Sequence, residues 1–272
     1  MRILRWVTAG LFSVVLCGYL LFSWNEHKNK DDTYPHMELE SQELTVSISV
    51  TEEELLAGVT AYDEKDGDLT DRVFIESVSK FIQPGLCRVT YAVADGDCHV
   101  AKASQLIRYS DYTPPRIYLN MPSVFYADDK VNIRDQIGAV DCIDGDISDR
   151  VTVVEANSSG LAAGSYKLSV QVTNSRGDQA YLDLPIFVES VGRRGPEIQL
   201  KEALIYLKTG EKPDFETYID KVFSQGQPMK NYDVTVTTNF DSRKPGVYVV
   251  HYYISDLGGV EGHTALTVVV EE

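Results

Sequence analysis

Three proline-led segments, Pro35-His36-Met37-Glu38-Leu39, Pro115-Arg116-Ile117-Tyr118-Leu119 and Pro196-Glu197-Ile198-Gln199-Leu200, recur at offsets of 80 and 81 residues. A fixed period of that length marks an array of small modules rather than one large fold. A second set, Pro84-Gly85-Leu86-Cys87, Ala163-Gly164-Ser165-Tyr166 and Pro245-Gly246-Val247-Tyr248, recurs at offsets of 79 and 82, so three modules are in register at both ends. Each of these opens an alternating run: Cys87, Val89, Tyr91, Val93; Tyr166, Leu168, Val170, Val172; and Tyr248, Val250, Tyr252, Ile254. Period two puts each set on one face of a strand. Turn clusters at Ala94-Asp95-Gly96-Asp97, Asn174 to Asp178 and Ser255 to Gly259 follow, and then a second apolar run, which is the pattern of a hairpin. No segment after residue 24 holds a 3.6-residue apolar period over the length of a helix.

Modules of about 80 residues with short strands and frequent turn signals predict an all-β chain of three tandem immunoglobulin-like antiparallel β-sandwiches. They occupy residues 34–110, 115–189 and 196–272. The Cys, Trp, Cys core of antibody domains is absent, since both tryptophans, Trp6 and Trp24, precede the first module. Short boundaries at Tyr112 to Pro115 and Val191 to Pro196 predict modules that abut end to end, in a rod on the order of 100 Å with module three as its tip.

Residues 6–24 are nineteen in a row without a charge. At a rise of 1.5 Å per residue this matches the roughly 30 Å of a bilayer's hydrocarbon core. Arg2 and Arg5 precede it and a net negative segment follows, so the positive-inside rule predicts a cytoplasmic N-terminus at 1–5, a signal-anchor helix at 6–24, a linker at 25–33 and extracytoplasmic modules. A cleaved secretory signal is the competing reading, but no small-x-small site follows the run. Cys17 as a lipid-modified residue is a weaker rival, because Leu16 is not small.

The stretch Val59 to Val73, with Asp63-Glu64-Lys65-Asp66-Gly67-Asp68 at its centre, followed by Pro84 to Gly96, resembles the bacterial immunoglobulin-like module of pesticidal-crystal-type and related surface proteins. That family is similar to hyalin and cadherin-like repeats. Module two carries the same pattern from Ala139 to Val151, and module three keeps Lys244 to Tyr248 without the acidic loop. The resemblance implies an extracytoplasmic adhesion, ligand-binding or spacer role and does not choose among them.

Two sets of side chains are candidate sites. Asp63, Asp66 and Asp68, and again Asp141, Asp144 and Asp146, place three carboxylates within six residues, hard oxygen donors of the kind Ca²⁺ takes. The same aspartates also suit a second reading, in which Asp-Gly makes a tight turn and its neighbours cap backbone amides. If the metal reading holds, the loop of module two would stiffen the joint with module one, and the second joint, lacking it, would be looser. Lys208, Lys212, Arg243 and Lys244 gather at two loops of module three in a chain of net charge −16. Such a basic tip would suit an anionic cell-envelope polymer or surface protein. Asp71-Arg72 and Asp149-Arg150 read as ion pairs or loop caps. Cys87 reads as a buried thiol; a hairpin bridge from it to Cys98 is misregistered, and a disulfide to Cys142 across the module joint is the alternative.

The acidic balance of 25 Lys and Arg against 41 Asp and Glu excludes nucleic acid as a partner. The five histidines form no metalloprotease pair, and no nucleophile elbow or phosphate loop is present, so no catalysis is expected. Asn157-Ser158-Ser159 matches a glycosylation sequon. The expected partners are thus the bilayer through residues 6–24 and an envelope polymer or surface protein. Alternatives are an accessory subunit of a transport, synthase or secretion complex, and a carbohydrate-binding protein.

Overall fold

The computed structural model describes residues 2–29, 33–156 and 162–272. The first element, α1 (Arg2–Asn29), is a 28-residue helix, about 42 Å long at the standard rise. Its side chains are described at Trp6 and from Gly10 to Trp24, and the large apolar ones, from Leu11 to Phe22, are exposed. Counted over the described residues, no helix is long and apolar enough to cross a membrane. The flanking charges at 30–32 and the sequon at 157–159 lie outside the described residues.

Three sets of seven strands follow in the same order. Module one is built from β1 (His36–Leu39), β2 (Glu43–Val46), β3 (Val59–Asp63), β4 (Gly67–Asp68), β5 (Phe74–Val78), β6 (Leu86–Ala94) and β7 (Val100–Tyr109). Module two follows with β8 (Arg116–Leu119), β9 (Val124–Tyr126), β10 (Ile137–Asp141), β11 (Gly145–Asp146), β12 (Thr152–Ala156), β13 (Gly164–Thr173) and β14 (Gln179–Glu189). In module three these become β15 (Glu197–Leu200), β16 (Leu204–Lys208), β17 (Ile219–Ser224), β18 (Gln227–Pro228), β19 (Thr235–Thr238), β20 (Gly246–Ser255) and β21 (Glu261–Glu271). Each module pairs a three-stranded sheet, β1-β3-β4 in the first, with a four-stranded one, β2-β7-β6-β5. The second strand of every module runs parallel to the last, β2 with β7, β9 with β14 and β16 with β21, while the other pairs are antiparallel.

The alternating runs face inward as the period requires. Cys87, Val89, Tyr91 and Val93 are all fully buried in module one, as are Val170 and Val250 at the matching places in modules two and three. At the head of this strand Tyr166 donates its hydroxyl to the carbonyl of Ala162 at 2.6 Å, and Tyr248 to that of Lys244 at 2.9 Å. This is the tyrosine corner of immunoglobulin-like sandwiches. Module one has Cys87 in that place. It alone also carries a short helix, α2 (Glu52–Leu56), held by a capping box in which Thr51 and Glu54 each bond the other's backbone amide.

The described chain divides into two compact units, Met1–Ser110 and Asp111–Glu272. Modules two and three therefore form one body, and the expected end-to-end order is corrected for this pair. Arg116, at the start of module two, bonds Glu271, at the end of module three (2.6 Å), whereas Glu189, at the end of module two, bonds His263 near the start of β21 (2.7 Å). β14 and β21 thus run in opposite directions, and module three lies folded back along module two. The expectation of a loose second joint fails with it. Leu204 belongs to the buried cluster around Ile117 and Leu184, with Tyr206, Val247 and Val269 packed against it. The physical reason is that β21 is apolar on both faces. Leu266, Val268 and Val270 fill its own core, and Ala265, Thr267 and Val269 turn the other way. A strand buried on two sides needs a second layer.

Candidate functional site

In both acidic loops the first aspartate is buried and caps the turn. Asp63 Oδ1 accepts from the amides of Lys65 (2.8 Å) and Asp66 (3.0 Å), and Asp141 Oδ1 from those of Ile143 and Asp144, both at 3.0 Å. The second aspartate ties the loop to the neighbouring hairpin turn: Asp66 accepts from the Gly96 amide at 2.5 Å, and Asp144 from the amide and hydroxyl of Ser175 at 2.6 and 2.7 Å. The third caps the following single-turn helix. Asp68 accepts from the Thr70 amide at 2.9 Å and Asp146 from Ser148 at 3.0 Å, and these bonds hold both carboxyls below the usual carboxylate range. Burial acts to raise the carboxyl of Asp144, but the bonds from Ser175 and Arg150 win and it too is lowered. Gly67 and Gly145 supply the left-handed backbone of the turn, at φ +79° and +72°.

Each carboxylate thus serves a different set of amides, and among the described residues no group of three His, Cys, Asp or Glu is placed to hold a metal. Arg150 pairs with Asp144 at 2.6 Å rather than with its neighbour Asp149. Cys87 is buried in the core of module one, and Cys142 Sγ donates to the Thr113 carbonyl at 3.1 Å.

The structure brings the two basic loops together, since Gly210 donates its amide to the Ser242 carbonyl at 2.6 Å. It also dilutes their charge. Arg243 is occupied by Asp241 at 3.0 Å, and Glu211 caps the Lys208 amide at 3.0 Å. Thr209 bonds the carbonyl of Glu271, whose carboxylate holds Arg116. Lys208 thus ends β16, and Lys212, Arg243 and Lys244 lie on the two loops that the Gly210–Ser242 bond joins.

Folding module three back creates what the sequence did not announce, a cleft of about 660 Å³ between modules two and three. Tyr126, Asp129, Arg194, Gln199, Phe223 and His263 are among the residues that line it. Arg194, from the connecting segment, bonds Asp129 at 2.7 Å and Asp128 at 3.2 Å and lies over the Tyr126 ring at 4.6 Å. At one wall His263 Nδ1 meets Glu189 Oε1 at 2.7 Å, and His263 Nε2 meets His251 Nδ1 at 2.9 Å. The Tyr253 ring stacks on His263 (4.5 Å) and Phe187 meets His251 edge-on (4.8 Å). At the other end of the interface Tyr206 Oη donates to the carbonyl of Ile117 at 2.8 Å and accepts from its amide at 3.1 Å, and burial pushes its hydroxyl up to about 12. The sequence put His251 on the outward face of its strand, and hairpin register sets His263 across from Tyr253 on that face. Glu189, 74 residues from His263, has no local signal.

An array of immunoglobulin-like sandwiches is the class these strands define. No known family's sequence profile matches the chain, and no curated protein does. Among solved structures it is similar to the M60 catalytic domain with the CBM51-1 and CBM51-2 domains of Clostridium perfringens ZmpB, at 12% identity over 89% of this chain and 31% of that one, TM-score 0.24. A second structure of ZmpB, CBM51-2 in complex with GlcNAc and INT domains, is 14% identical over 87% of this chain and 42% of that one, TM-score 0.24. Drosophila N-cadherin EC1-4 is 12% identical over 89% and 76%, TM-score 0.22. The chain spans less than half the length of the two ZmpB structures. At these scores the superposition is loose, and the fold rests on strand order and register.

Proposed function

We propose that the chain is a single-pass membrane protein, cytoplasmic at its N-terminus, that displays three immunoglobulin-like modules outside the cell in adhesion or ligand binding, without catalysis. What supports this reading is the sequence, in which nineteen uncharged residues at 6–24 follow Arg2 and Arg5 and precede three sandwiches. In sequence the chain resembles the bacterial surface modules named above. Ligand binding is favoured over a bare spacer by the cleft, whose volume falls in the usual range of roughly 300 to 1,000 Å³ for small-molecule sites. Its lining mixes the amide and aromatic groups of Gln199, Tyr126 and Phe223 with the charges of Asp129, Arg194, Glu197 and Asp220, which suits a hydroxyl-rich ligand such as a stretch of envelope polysaccharide, in a chain too acidic to attract anions.

The test is sidedness in cells that express the full chain. Added protease is expected to degrade the modules on intact cells, and an alkaline wash is expected to leave the chain in the membrane. Release by the wash, or protection until the cells are broken, overturns the reading.

A further inference from the structure

The cluster of Glu189, His263 and His251 joins two modules through a chain of protons whose directions are set. A carboxylate only accepts, so His263 Nδ1 carries the hydrogen that meets Glu189. In neutral His263 the other nitrogen, Nε2, is then an acceptor, and His251 Nδ1 must donate to it. One added proton is tolerated, because one N–H and one acceptor still face each other between the two rings whichever of them carries it. A second is not, because two N–H groups and two positive charges would then face each other across 2.9 Å. We propose that this chain is a proton-operated latch, which holds the linker end of module three against module two near neutral pH and opens it on acidification.

The surroundings leave the second charge without compensation. From β14 come Glu189 and the ring of Phe187, from β20 the ring of Tyr253, and from β21 Glu261, which faces Tyr253. Tyr126 of β9 lies near Glu189, and Arg194 beside it is occupied by Asp128 and Asp129. Glu189 is the one carboxylate bonded to either histidine among the described residues, and it is already used by His263. Burial, and then the charge of His263, push His251 below its ordinary 6.5, against a smaller upward pull from Glu189. A base held low in the folded state favours its neutral form. The contribution is therefore fully present above pH 6.5 and is lost as the pH falls through the lowered value.

Hydroxyl-radical footprinting of the full chain, read residue by residue, tests this. Between about pH 7.5 and about pH 5 the labelling of Phe187 and Tyr253 is expected to rise several-fold, while Tyr252, in the core of module three, stays protected. In His251→Gln, which cannot take the second proton, the rise is expected to vanish. A flat profile in the unsubstituted chain, an equal rise in His251→Gln, or a parallel rise at Tyr252 that signals unfolding would each overturn the latch. If Tyr252 of His251→Gln is already exposed at neutral pH, His251→Phe, which keeps a ring against Phe187, is read by the same criteria.

Discussion

At the scale of single residues, the repeat makes each module a control for the others. The hairpin turn after the long inward-facing strand is capped identically in all three: Asp95 Oδ1 accepts from the amides of Asp97 and His99, Asn174 Oδ1 from those of Arg176 and Asp178, and Asp256 Oδ1 from those of Gly258 and Val260. The fourth residue of that turn is left-handed, with φ +84° at Gly177, +74° at Gly259 and +70° at Cys98. Only module one puts a side chain there, on an exposed residue whose thiol has no disulfide partner. A left-handed non-glycine residue costs roughly 1 to 2 kcal/mol, part of which glycine returns as extra freedom of the unfolded chain. Cys98→Gly is therefore expected to stabilise module one by about 0.5 to 1 kcal/mol. A denaturant midpoint of the full chain that stays put or falls would show that the turn is not strained. The acidic loops teach the same lesson. Their spacing reads in the sequence as two alternatives, metal or cap, and the structure adds the backbone amides that Asp63 and Asp141 accept from, which spacing does not encode.

At the scale of elements, the inward faces were read correctly because period two is a local property of the chain. The outward faces carried information that only a comparison of the last strands reveals. In β7 those positions are Lys102, Ser104, Leu106 and Arg108, with both charges exposed, but in β21 they are His263, Ala265, Thr267 and Val269. The module that departs from the repeat on its outer face is the one that is covered. Thr267 marks the cost of that cover. It is fully buried, and its hydroxyl has no hydrogen-bond partner among the described residues. An unsatisfied buried hydroxyl costs about 1 to 3 kcal/mol, and valine fills the same volume without one. Thr267→Val is expected to raise stability by about 1 kcal/mol, seen as a higher melting temperature of the full chain. A fall would mean that the hydroxyl is bonded by ordered water in solution.

At the scale of the whole molecule, the count of modules and the count of folding bodies differ. Three repeats gave two boundaries in the sequence, yet the linker between modules two and three is short and turn-rich enough to reverse the chain rather than extend it. The cleft and the histidine latch exist only because of that reversal, which is why neither was visible as a motif. Sharing has an energetic consequence. Leu204 and Tyr206 of module three complete the buried cluster of module two, so unfolding either module strips apolar cover from the other and leaves the Ile117 amide and carbonyl without Tyr206. Removing such cover and two buried hydrogen bonds costs several kcal/mol, comparable to the stability of a domain this small. Modules two and three are therefore expected to melt as one transition. Leu184→Ala in the core of module two and Val250→Ala in that of module three, each a cavity of about 2 to 4 kcal/mol, should lower the same calorimetric peak. Two peaks that respond one to each substitution would mean that the modules are tethered neighbours, and the folded-back interface would then contribute little to holding either of them together.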